Sequence, residues 1–264
     1  MTRTLVLTSS LILLAGCATA VPNGDRLETT PRHAEWVRID RDGRALHAWL
    51  VYPERSSLAP AVVVIHENRG LTDWVRGVAD ELARQGYIAI APDMLSGTAP
   101  GGGKTSDFPS EDAAREAISR LEGDQVIADL HAAADYVRSL PSSNRQISVA
   151  GFCWGGARTW DFAEARSDLH GAYVFYGTGP QSAEEVATIA APVYGFYGGD
   201  DARVNATIPK TDELMRAAGK TFDPVIYEGA GHAFMRSGEA PDASEANRRA
   251  RDQAWQRWLT LLRR

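Results

Sequence analysis

Two segments near the start of the chain alternate apolar and polar residues. Residues 35–39 and 46–51 both show this period of two, and the pair Asp42-Gly43 separates them. Successive side chains of a strand point to opposite faces, so this alternation is typical of half-buried strands. Asp-Gly between two such segments is a strong hairpin signal. The sequence therefore predicts an antiparallel hairpin at the entry to the fold.

The pattern changes after Pro60, where residues 61–65 are apolar throughout and mostly β-branched. Such a run is typical of a parallel strand buried on both faces. Further strands are predicted over 87–91, 146–150, 173–176, 193–197 and 225–227, and helices over 73–85, 110–121, 124–140, after Gly155, over 208–218 and at the C-terminus. Strands alternating with helices predict an α/β fold, with a mostly parallel sheet and helices on both faces. No linker divides residues 35–264, so we expect one domain there.

The first twenty residues have the pattern of an export signal. Arg3 precedes an apolar stretch over residues 5–14, which is too short to cross a bilayer as a helix. The run Leu14-Ala15-Gly16-Cys17 resembles the bacterial lipobox, in which cleavage leaves the cysteine as a lipid-bearing N-terminus. The alternative is an ordinary secretory signal that is cut near Ala18.

The lipobox interpretation predicts how the protein is placed in the cell. Residues 1–17 would be a lipoprotein signal that ends in the lipidated Cys17, and residues 18–34 a flexible tether. We expect an exported protein, anchored in a bacterial cell envelope, and Ala18 favours the outer membrane over the inner one. Membrane contact is expected through the lipid anchor only.

Composition narrows the possible partners and leaves one thiol unpaired. The 264 residues carry a formal net charge of −6, and the short basic segment 248–251 is typical of a solvated helix face, so no nucleic acid partner is predicted. The chain has two cysteines, and lipid on Cys17 would leave Cys153 without a disulfide partner. We expect a monomer.

Cys153 lies in a motif suited to nucleophilic chemistry. The run Gly151-Phe152-Cys153-Trp154-Gly155-Gly156 follows a predicted strand and opens a predicted helix. A sharp strand-to-helix turn leaves little room two residues to either side, and the glycines satisfy that requirement. The helix N-terminus favours a thiolate, and the Trp154 amide would point towards an oxyanion. The alternative is a buried, inert cysteine in a tight turn.

A thiol nucleophile needs a base that is oriented by a carboxylate, and the chain supplies both after later strands. Asp200 and Asp201 follow the predicted strand 193–197, and His232 follows the strand that ends at Tyr227. Carboxyl ends of strands gather catalytic residues in such sheets. Five other histidines fit structural positions better: His33, His47, His66, His131 and His170. Either aspartate could orient the imidazole, and either could instead cap a turn.

Together these motifs resemble the dienelactone hydrolase family in order and spacing, over essentially all of residues 35–264. The segments that carry the resemblance are Ile65-His66-Glu67-Asn68-Arg69-Gly70, Ala91-Pro92-Asp93, the Gly151–Gly156 motif, Gly199-Asp200-Asp201-Ala202-Arg203-Val204 and His232-Ala233-Phe234-Met235-Arg236. The resemblance implies an α/β-hydrolase fold, in which the chain order is nucleophile, acid and histidine. It also implies an enzyme that hydrolyses small esters or lactones.

The same resemblance implies roles for individual residues. Asp201 would be the acid of a Cys153-His232-Asp201 triad, because it stands three residues before a valine. Glu67 would be a switch that pairs with the thiol at rest and helps to generate the thiolate. The amides of Asn68 and Trp154 would form the oxyanion hole, and Arg236 would bind a substrate carboxylate.

Two features of the sequence limit what the resemblance implies. Family members that open dienelactone carry a second arginine shortly after the Pro-Asp pair, and the matching position here is Gly97. Another small ester or lactone is therefore the expected substrate. His66-Glu67 does not extend to a zinc H-E-x-x-H motif because position 70 is glycine, so no metal or other cofactor is expected.

Three alternatives stay open at this point. A surface lipoprotein could keep this fold for binding without turnover. A thioesterase or a peptidase could use the same triad, since a fold does not determine its acyl substrate. The Gly- and Pro-rich segment 98–104 could be a mobile active-site loop or an exposed insertion without function.

Overall fold

A computed structural model describes residues 27–41 and 43–264 of the chain. Within them, eight strands form one sheet in the order β1-β2-β4-β3-β5-β6-β7-β8. The strands are Ala34–Arg41 (β1), Arg44–Val51 (β2), Ala59–Ile65 (β3), Ile88–Pro92 (β4), Ser143–Phe152 (β5), Leu169–Phe175 (β6), Val193–Gly198 (β7) and Phe222–Tyr227 (β8). The pairs β1-β2 and β2-β4 are antiparallel and the others are parallel, which confirms the hairpin followed by a mostly parallel sheet.

Helices cover both faces of this sheet. They are Asp73–Arg84 (α1), Glu111–Ser119 (α2), Gly123–Ser139 (α3), Trp154–Ala165 (α4), Ala202–Asn205 (α5), Ile208–Ala217 (α6), Phe234–Ser237 (α7) and Glu245–Leu262 (α8). Along β3, Ala61, Val63 and Ile65 join the apolar cluster under α3, α4 and α6. Val62 and Val64 join the cluster under α1 and α8 instead. The period of two thus divides one strand between two cores, which explains why the whole run is apolar.

The observed element boundaries differ from the predicted ones in a few places. α4 begins at Trp154, before the predicted start, and the one-turn helices α5 and α7 were not predicted. Four residues cannot display a period of 3.6, so the pattern carries no signal for such helices. A local contact stabilises α5, because the Asp201 carboxylate accepts a hydrogen bond from the Val204 amide at 3.4 Å.

The end of the predicted tether is attached to the domain. Asp80 on α1 is buried, and its carboxylate accepts hydrogen bonds from Thr30 Oγ1 at 2.7 Å and from Arg32 Nε and Nη2 at 2.8 and 2.7 Å. The backbone also pairs here, since the Tyr52 amide donates to the His33 carbonyl at 2.9 Å. The packed region therefore starts near Thr30, a few residues before the predicted boundary at 35. Cys17 and the predicted signal peptide lie outside the described residues.

The Gly- and Pro-rich segment 98–104 folds back beside the hairpin. The Gly97 amide donates to the Gly103 carbonyl at 2.8 Å, and Lys104 Nζ lies 5.1 Å from the centre of the Trp36 ring. Gly97 itself has φ +78, so an arginine at this position would be strained. No helix in the described part of the chain is both long and apolar enough for a membrane span.

Candidate active site

Cys153 occupies a strained turn between β5 and α4. Its backbone has φ +56 and ψ −112, a region that residues with a side chain rarely adopt. A Cβ on Gly151 would lie 2.0 Å from the Gly155 carbonyl oxygen, and a Cβ on Gly155 would lie 2.5 Å from the Ile65 carbonyl oxygen. Glycine is therefore required at both positions, and the backbone can turn sharply enough to present the thiol.

The thiol, an imidazole and a carboxylate form one hydrogen-bonded chain. Cys153 Sγ lies 3.1 Å from His232 Nε2, and His232 Nδ1 lies 2.5 Å from Asp201 Oδ2. The Asp201 side chain is buried, whereas its neighbour Asp200 is exposed. The geometry thus brings together the three residues of the predicted triad and chooses Asp201 over Asp200.

The electrostatics of these three side chains favour a positively charged imidazole. The hydrogen bond to Cys153 is the largest influence, and together with the bond to Asp201 it outweighs burial and raises the pKa of His232 to about 9. An imidazolium next to sulfur stabilises negative charge on that sulfur. The arrangement therefore places a positively charged imidazole directly beside the sulfur.

Glu67 is buried and faces an arginine instead of the thiol. Its Oε2 accepts a hydrogen bond from Arg236 Nε at 2.7 Å, and its Oε1 lies at 3.5 Å from the Tyr176 hydroxyl, the limit of a hydrogen bond. The structure shows no hydrogen bond between Glu67 and Cys153, so the resting partner implied by the resemblance is not the one observed. Glu67 and Arg236 thus contact each other, and they lie next to the triad.

Tyr176 was not predicted, although it connects Glu67 with the triad. Its ring meets the His232 imidazole edge to face at 5.1 Å, and its backbone has φ +41. Burial is the main reason why its pKa lies well above the ordinary value, with Glu67 and Cys153 adding to the shift, so the hydroxyl keeps its proton. Its position at the carboxyl end of the predicted strand 173–176 was the available signal, because the triad residues also stand at the carboxyl ends of strands.

His66 was assigned a structural position, and the structure places it against the predicted oxyanion hole. The ring is fully buried, and burial lowers its pKa, so the imidazole is neutral. Nε2 accepts a hydrogen bond from the Met94 amide at 3.2 Å, so Nδ1 carries the proton and donates it to the Glu67 carbonyl at 2.7 Å. The same ring stacks on Trp154, with centroids 5.5 Å apart.

The two amides predicted for the oxyanion hole belong to residues beside the nucleophile. Asn68 and Trp154 line one cavity with Cys153, and neither backbone N–H has an acceptor among the described residues. Trp154 is the first residue of α4, where an amide has no partner within the helix. Both donors are thus available to a bound oxygen.

The cavity beside Cys153 has a volume of about 420 Å³. The residues that line it are Asn68, Arg115, Ile118, Ser119, Cys153, Trp154, Ala157, Arg158, Tyr176, Thr178 and Arg203. Residues 98–104 are not among them, so the interpretation of that segment as an active-site loop gains no support. No group of three or more metal-ligating side chains occurs within residues 27–41 and 43–264.

Comparisons with known proteins agree with the fold and indicate one family. A family model described as the dienelactone hydrolase family matches residues 46–264. A carboxymethylenebutenolidase from Pseudomonas putida is 30% identical over 224 residues, which cover 80% of this chain and 91% of that protein. A carboxymethylenebutenolidase candidate from Methylorubrum extorquens is 32% identical over 210 residues, which cover 75% of this chain and 71% of that protein.

Solved structures point to the same family. A crystal structure of a dienelactone hydrolase candidate from Klebsiella pneumoniae superposes with a TM-score of 0.76 at 27% identity and covers 88% of this chain and 98% of that one. This likeness and the sheet order confirm the predicted α/β-hydrolase fold. The chain belongs to the dienelactone hydrolase family.

Proposed function

We propose that this protein hydrolyses small esters or lactones by acyl transfer to Cys153 and then to water. Membership of the family supports a hydrolase of small ester or lactone substrates. The single observation that carries the mechanism is the hydrogen-bonded chain from Cys153 Sγ through His232 to Asp201, at 3.1 and 2.5 Å. Thiol, base and orienting carboxylate are the groups that nucleophilic catalysis requires.

The proposed reaction has two steps. Cys153 Sγ attacks the carbonyl carbon, the bond from that carbon to the leaving oxygen breaks, and His232 gives its proton to the departing alcohol. Water then attacks the thioester, His232 accepts a proton from that water, and the acid leaves as the thiolate re-forms. Asp201 keeps the imidazole oriented through both steps.

Backbone amides would stabilise the negative oxygen of each tetrahedral intermediate. The amides of Asn68 and Trp154 are free to donate and lie beside Cys153, which supports the oxyanion hole that the family resemblance implies. Losing one such donor reduces turnover by roughly 10² to 10³ in other enzymes.

We also propose a role for the Glu67 and Arg236 pair. A substrate carboxylate that binds the Arg236 guanidinium would compete with Glu67 for the same cation. Glu67 would then be free to turn towards Cys153 and accept its proton. The single hydrogen bond from Arg236 to Glu67 supports this exchange, because few contacts must be broken.

Ester hydrolysis by matched variants tests the mechanism. Cys153→Ala should abolish hydrolysis of p-nitrophenyl acetate, and only the wild type should gain the mass of one acetyl group on the Cys153 peptide. Asp201→Asn should reduce kcat by roughly 10⁴, as expected when the imidazole loses its orienting carboxylate. The exposed neighbour supplies the control, since Asp200→Asn should have wild-type kcat. Unchanged turnover in Cys153→Ala would refute the proposed nucleophile.

A further measurement separates an enzyme from a binding protein of the same fold. Iodoacetamide should modify Cys153 rapidly in an enzyme, because the adjacent imidazolium stabilises the thiolate. A binding protein without catalytic use of the thiol should react as slowly as an ordinary cysteine. Replacing His232 with Gln should slow the reaction only in the first case.

We propose that the protein is exported and carries lipid on Cys17, with the outer membrane as its location. The sequence Leu14-Ala15-Gly16-Cys17 supports this proposal, and it lies outside the described residues. Incorporation of a labelled fatty acid should occur in the wild type and disappear in Cys17→Ala. Labelling that persists in the variant would contradict the proposal.

A further inference from the structure

The cavity beside the nucleophile is cationic, although the chain as a whole is acidic. Three arginines line it, Arg115, Arg158 and Arg203, and no aspartate or glutamate does. Apart from Cys153, the other polar residues of the lining have uncharged side chains. The chain has a formal net charge of −6, so this excess of positive charge is local and is not a property of the whole surface.

The three arginines come from separate parts of the fold. Arg115 lies on α2, Arg158 on α4, and Arg203 on α5 two residues after the triad acid Asp201. Residues far apart in sequence thus direct cations into one cavity. Because α4 starts at the nucleophile and α5 follows the triad acid, the catalytic turns position two of these cations.

The three guanidinium groups differ in how many acceptors they have within the protein. Arg115 pairs with Glu111 and Asp112 on its own helix, and Arg158 pairs with Asp161 at 3.0 Å. Arg203 forms no hydrogen bond or ion pair with any other described residue. Arg158 Nε is buried and has no acceptor in the described chain, and its guanidinium lies 5.9 Å from the centre of the Trp154 ring.

We propose that Arg203, with Arg158 and Arg115, forms an anion-binding subsite that selects esters or lactones carrying a negatively charged group. Arg203 is exposed, so water can solvate its guanidinium and can be exchanged for a carboxylate or phosphate, which can accept two of its hydrogen bonds. Arg236 already has a buried partner in Glu67 and does not line this cavity. The subsite is therefore separate from the Glu67 and Arg236 pair, and an ester with a single charged group can occupy only one of the two.

The inference rests on the proposed hydrolase function for its substrate, but the cavity charge can be measured without turnover. Iodoacetate and iodoacetamide both alkylate Cys153, and only iodoacetate is negatively charged. The rate ratio of iodoacetate to iodoacetamide, followed on the Cys153 peptide by mass spectrometry, reports whether the cavity attracts anions. Higher salt should lower this ratio, because it screens the charges.

The matched variants are Arg203→Gln and Arg216→Gln, in the full chain. Both remove one positive charge, but Arg216 is an exposed residue of α6 outside the cavity. We expect Arg203→Gln to lower the alkylation ratio by about tenfold, the size of one charge-assisted hydrogen bond in a partly exposed site. Arg216→Gln should keep the wild-type ratio. Equal ratios in the wild type and in Arg203→Gln would overturn the subsite.

Ester kinetics then identify the half of the substrate that carries the charge. The p-nitrophenyl monoesters of succinate and glutarate have an anionic acyl half, and 4-acetoxybenzoate has an anionic leaving group. Each is compared with its uncharged analogue of equal length. In one of the two series the wild type should favour the anionic ester in kcat/KM, and Arg203→Gln should reduce that preference by about tenfold.

The outcomes separate the two proposals. If the wild type hydrolyses neutral and anionic esters equally well, the hydrolase mechanism stands and the subsite is wrong. If the preference is lost in Arg236→Gln and survives in Arg203→Gln, the anion binds to the arginine beside Glu67 and the subsite is again wrong. If no ester is hydrolysed, the proposed function fails, and the alkylation ratio alone decides whether the cavity binds anions.

Discussion

Two buried carboxylates bind arginine in different regions of the molecule, and they do so in different ways. Asp80, where the N-terminal segment meets α1, accepts two hydrogen bonds from Arg32 and one from Thr30, so both of its oxygens are satisfied. Glu67, at the carboxyl end of the sheet, receives one hydrogen bond from Arg236 at 2.7 Å and one long contact from Tyr176 at 3.5 Å. We call the Arg32 and Asp80 pair saturated, because both Asp80 oxygens have their hydrogen bonds. We call the Arg236 and Glu67 pair unsaturated, because Glu67 can still accept hydrogen bonds.

The backbone shows the same contrast between the two regions. Cys153, Tyr176 and Ala233 all have positive φ and lie next to Glu67 or to the triad. Such conformations cost of order 1 to 3 kcal/mol each and persist only where the surroundings impose them. Neither the described residues 27–41, which contain Arg32, nor α1, which contains Asp80, include a positive φ. We therefore expect a buried ion pair to be structural where it is saturated and unstrained, and to be able to change partners where it is neither.

The largest effect is expected at the saturated pair. Asp80→Ala should lower the free energy of unfolding by about 3 kcal/mol, because it leaves a mostly buried guanidinium without its partner. Chemical denaturation measures the loss, and kcat of the folded variant should stay unchanged. The matched control is Glu81→Ala on the same helix, which breaks a more exposed pair with Arg84 and should cost under about 1 kcal/mol. Equal losses in the two variants would remove the distinction.

The sequence predicted most strands and helices of the fold and the three residues that the geometry brings together as a candidate triad, but for different reasons. Runs such as residues 61–65 indicate strands because burial on two faces leaves a period in the sequence. Cys153, Asp201 and His232 were recognisable because glycines and chain order mark the turns that hold them. The apolar runs and the glycines are signals in neighbouring residues, and the chain order of the triad follows from the order of the strands.

The sequence did not predict which distant residues pair with each other. Arg32 and Asp80 are 48 positions apart, and Arg236 and Glu67 are 169 apart, so no periodicity connects them. The resemblance placed Glu67 against the thiol, and only the fold shows that Arg236 holds it. No role was predicted for Arg203 for the same reason, since the subsite that we propose depends on a cavity that several elements enclose.

The next largest effect is expected at the unsaturated pair of Glu67 and Arg236. A substitution there should change kcat more than the free energy of unfolding. Glu67→Gln keeps the volume and one oxygen for Arg236 Nε, so the free energy of unfolding should fall by less than about 1 kcal/mol. It removes the proposed proton acceptor, and kcat for an ester that carries a carboxylate should fall about 10²-fold. A variant that unfolds as easily as Asp80→Ala and keeps its kcat would show that Glu67 is structural.

A smaller loss of kcat is expected from substitution of His66, which contacts the backbone of the site. The Glu67 carbonyl and the Asn68 N–H belong to one peptide unit and point in opposite directions. By donating to that carbonyl at 2.7 Å, His66 determines where the proposed oxyanion donor points. Removing this bond should disturb one donor without deleting it.

His66→Leu should therefore lower kcat about tenfold, less than the loss of an entire donor, with KM little changed. In His66→Asn the side-chain amide can still donate to the same carbonyl, so this variant should recover much of kcat. His170→Leu, at an exposed position of β6, should match the wild type. If Leu and Asn at position 66 give equal kcat, the hydrogen bond does not position the amide.

The smallest effect is a change of Tm with pH. It distinguishes the triad from the saturated ion pairs. Carboxylate and guanidinium groups stay charged from pH 6.5 to 9, so saturated pairs do not titrate in that window. The pKa of His232 is raised from 6.5 to about 9, chiefly by its hydrogen bond to Cys153. The stabilisation from a raised pKa is complete below about pH 6.5 and disappears as the pH rises through about 9. With a side chain that is 33% exposed, His232 should contribute about 1 kcal/mol. Between those pH values, Tm of the wild type should therefore fall about 2 to 4 °C relative to His232→Gln. Parallel Tm curves for the two proteins would mean that the imidazole gains no charge on folding, and the triad would then lose the electrostatic property that sets it apart from the saturated pairs.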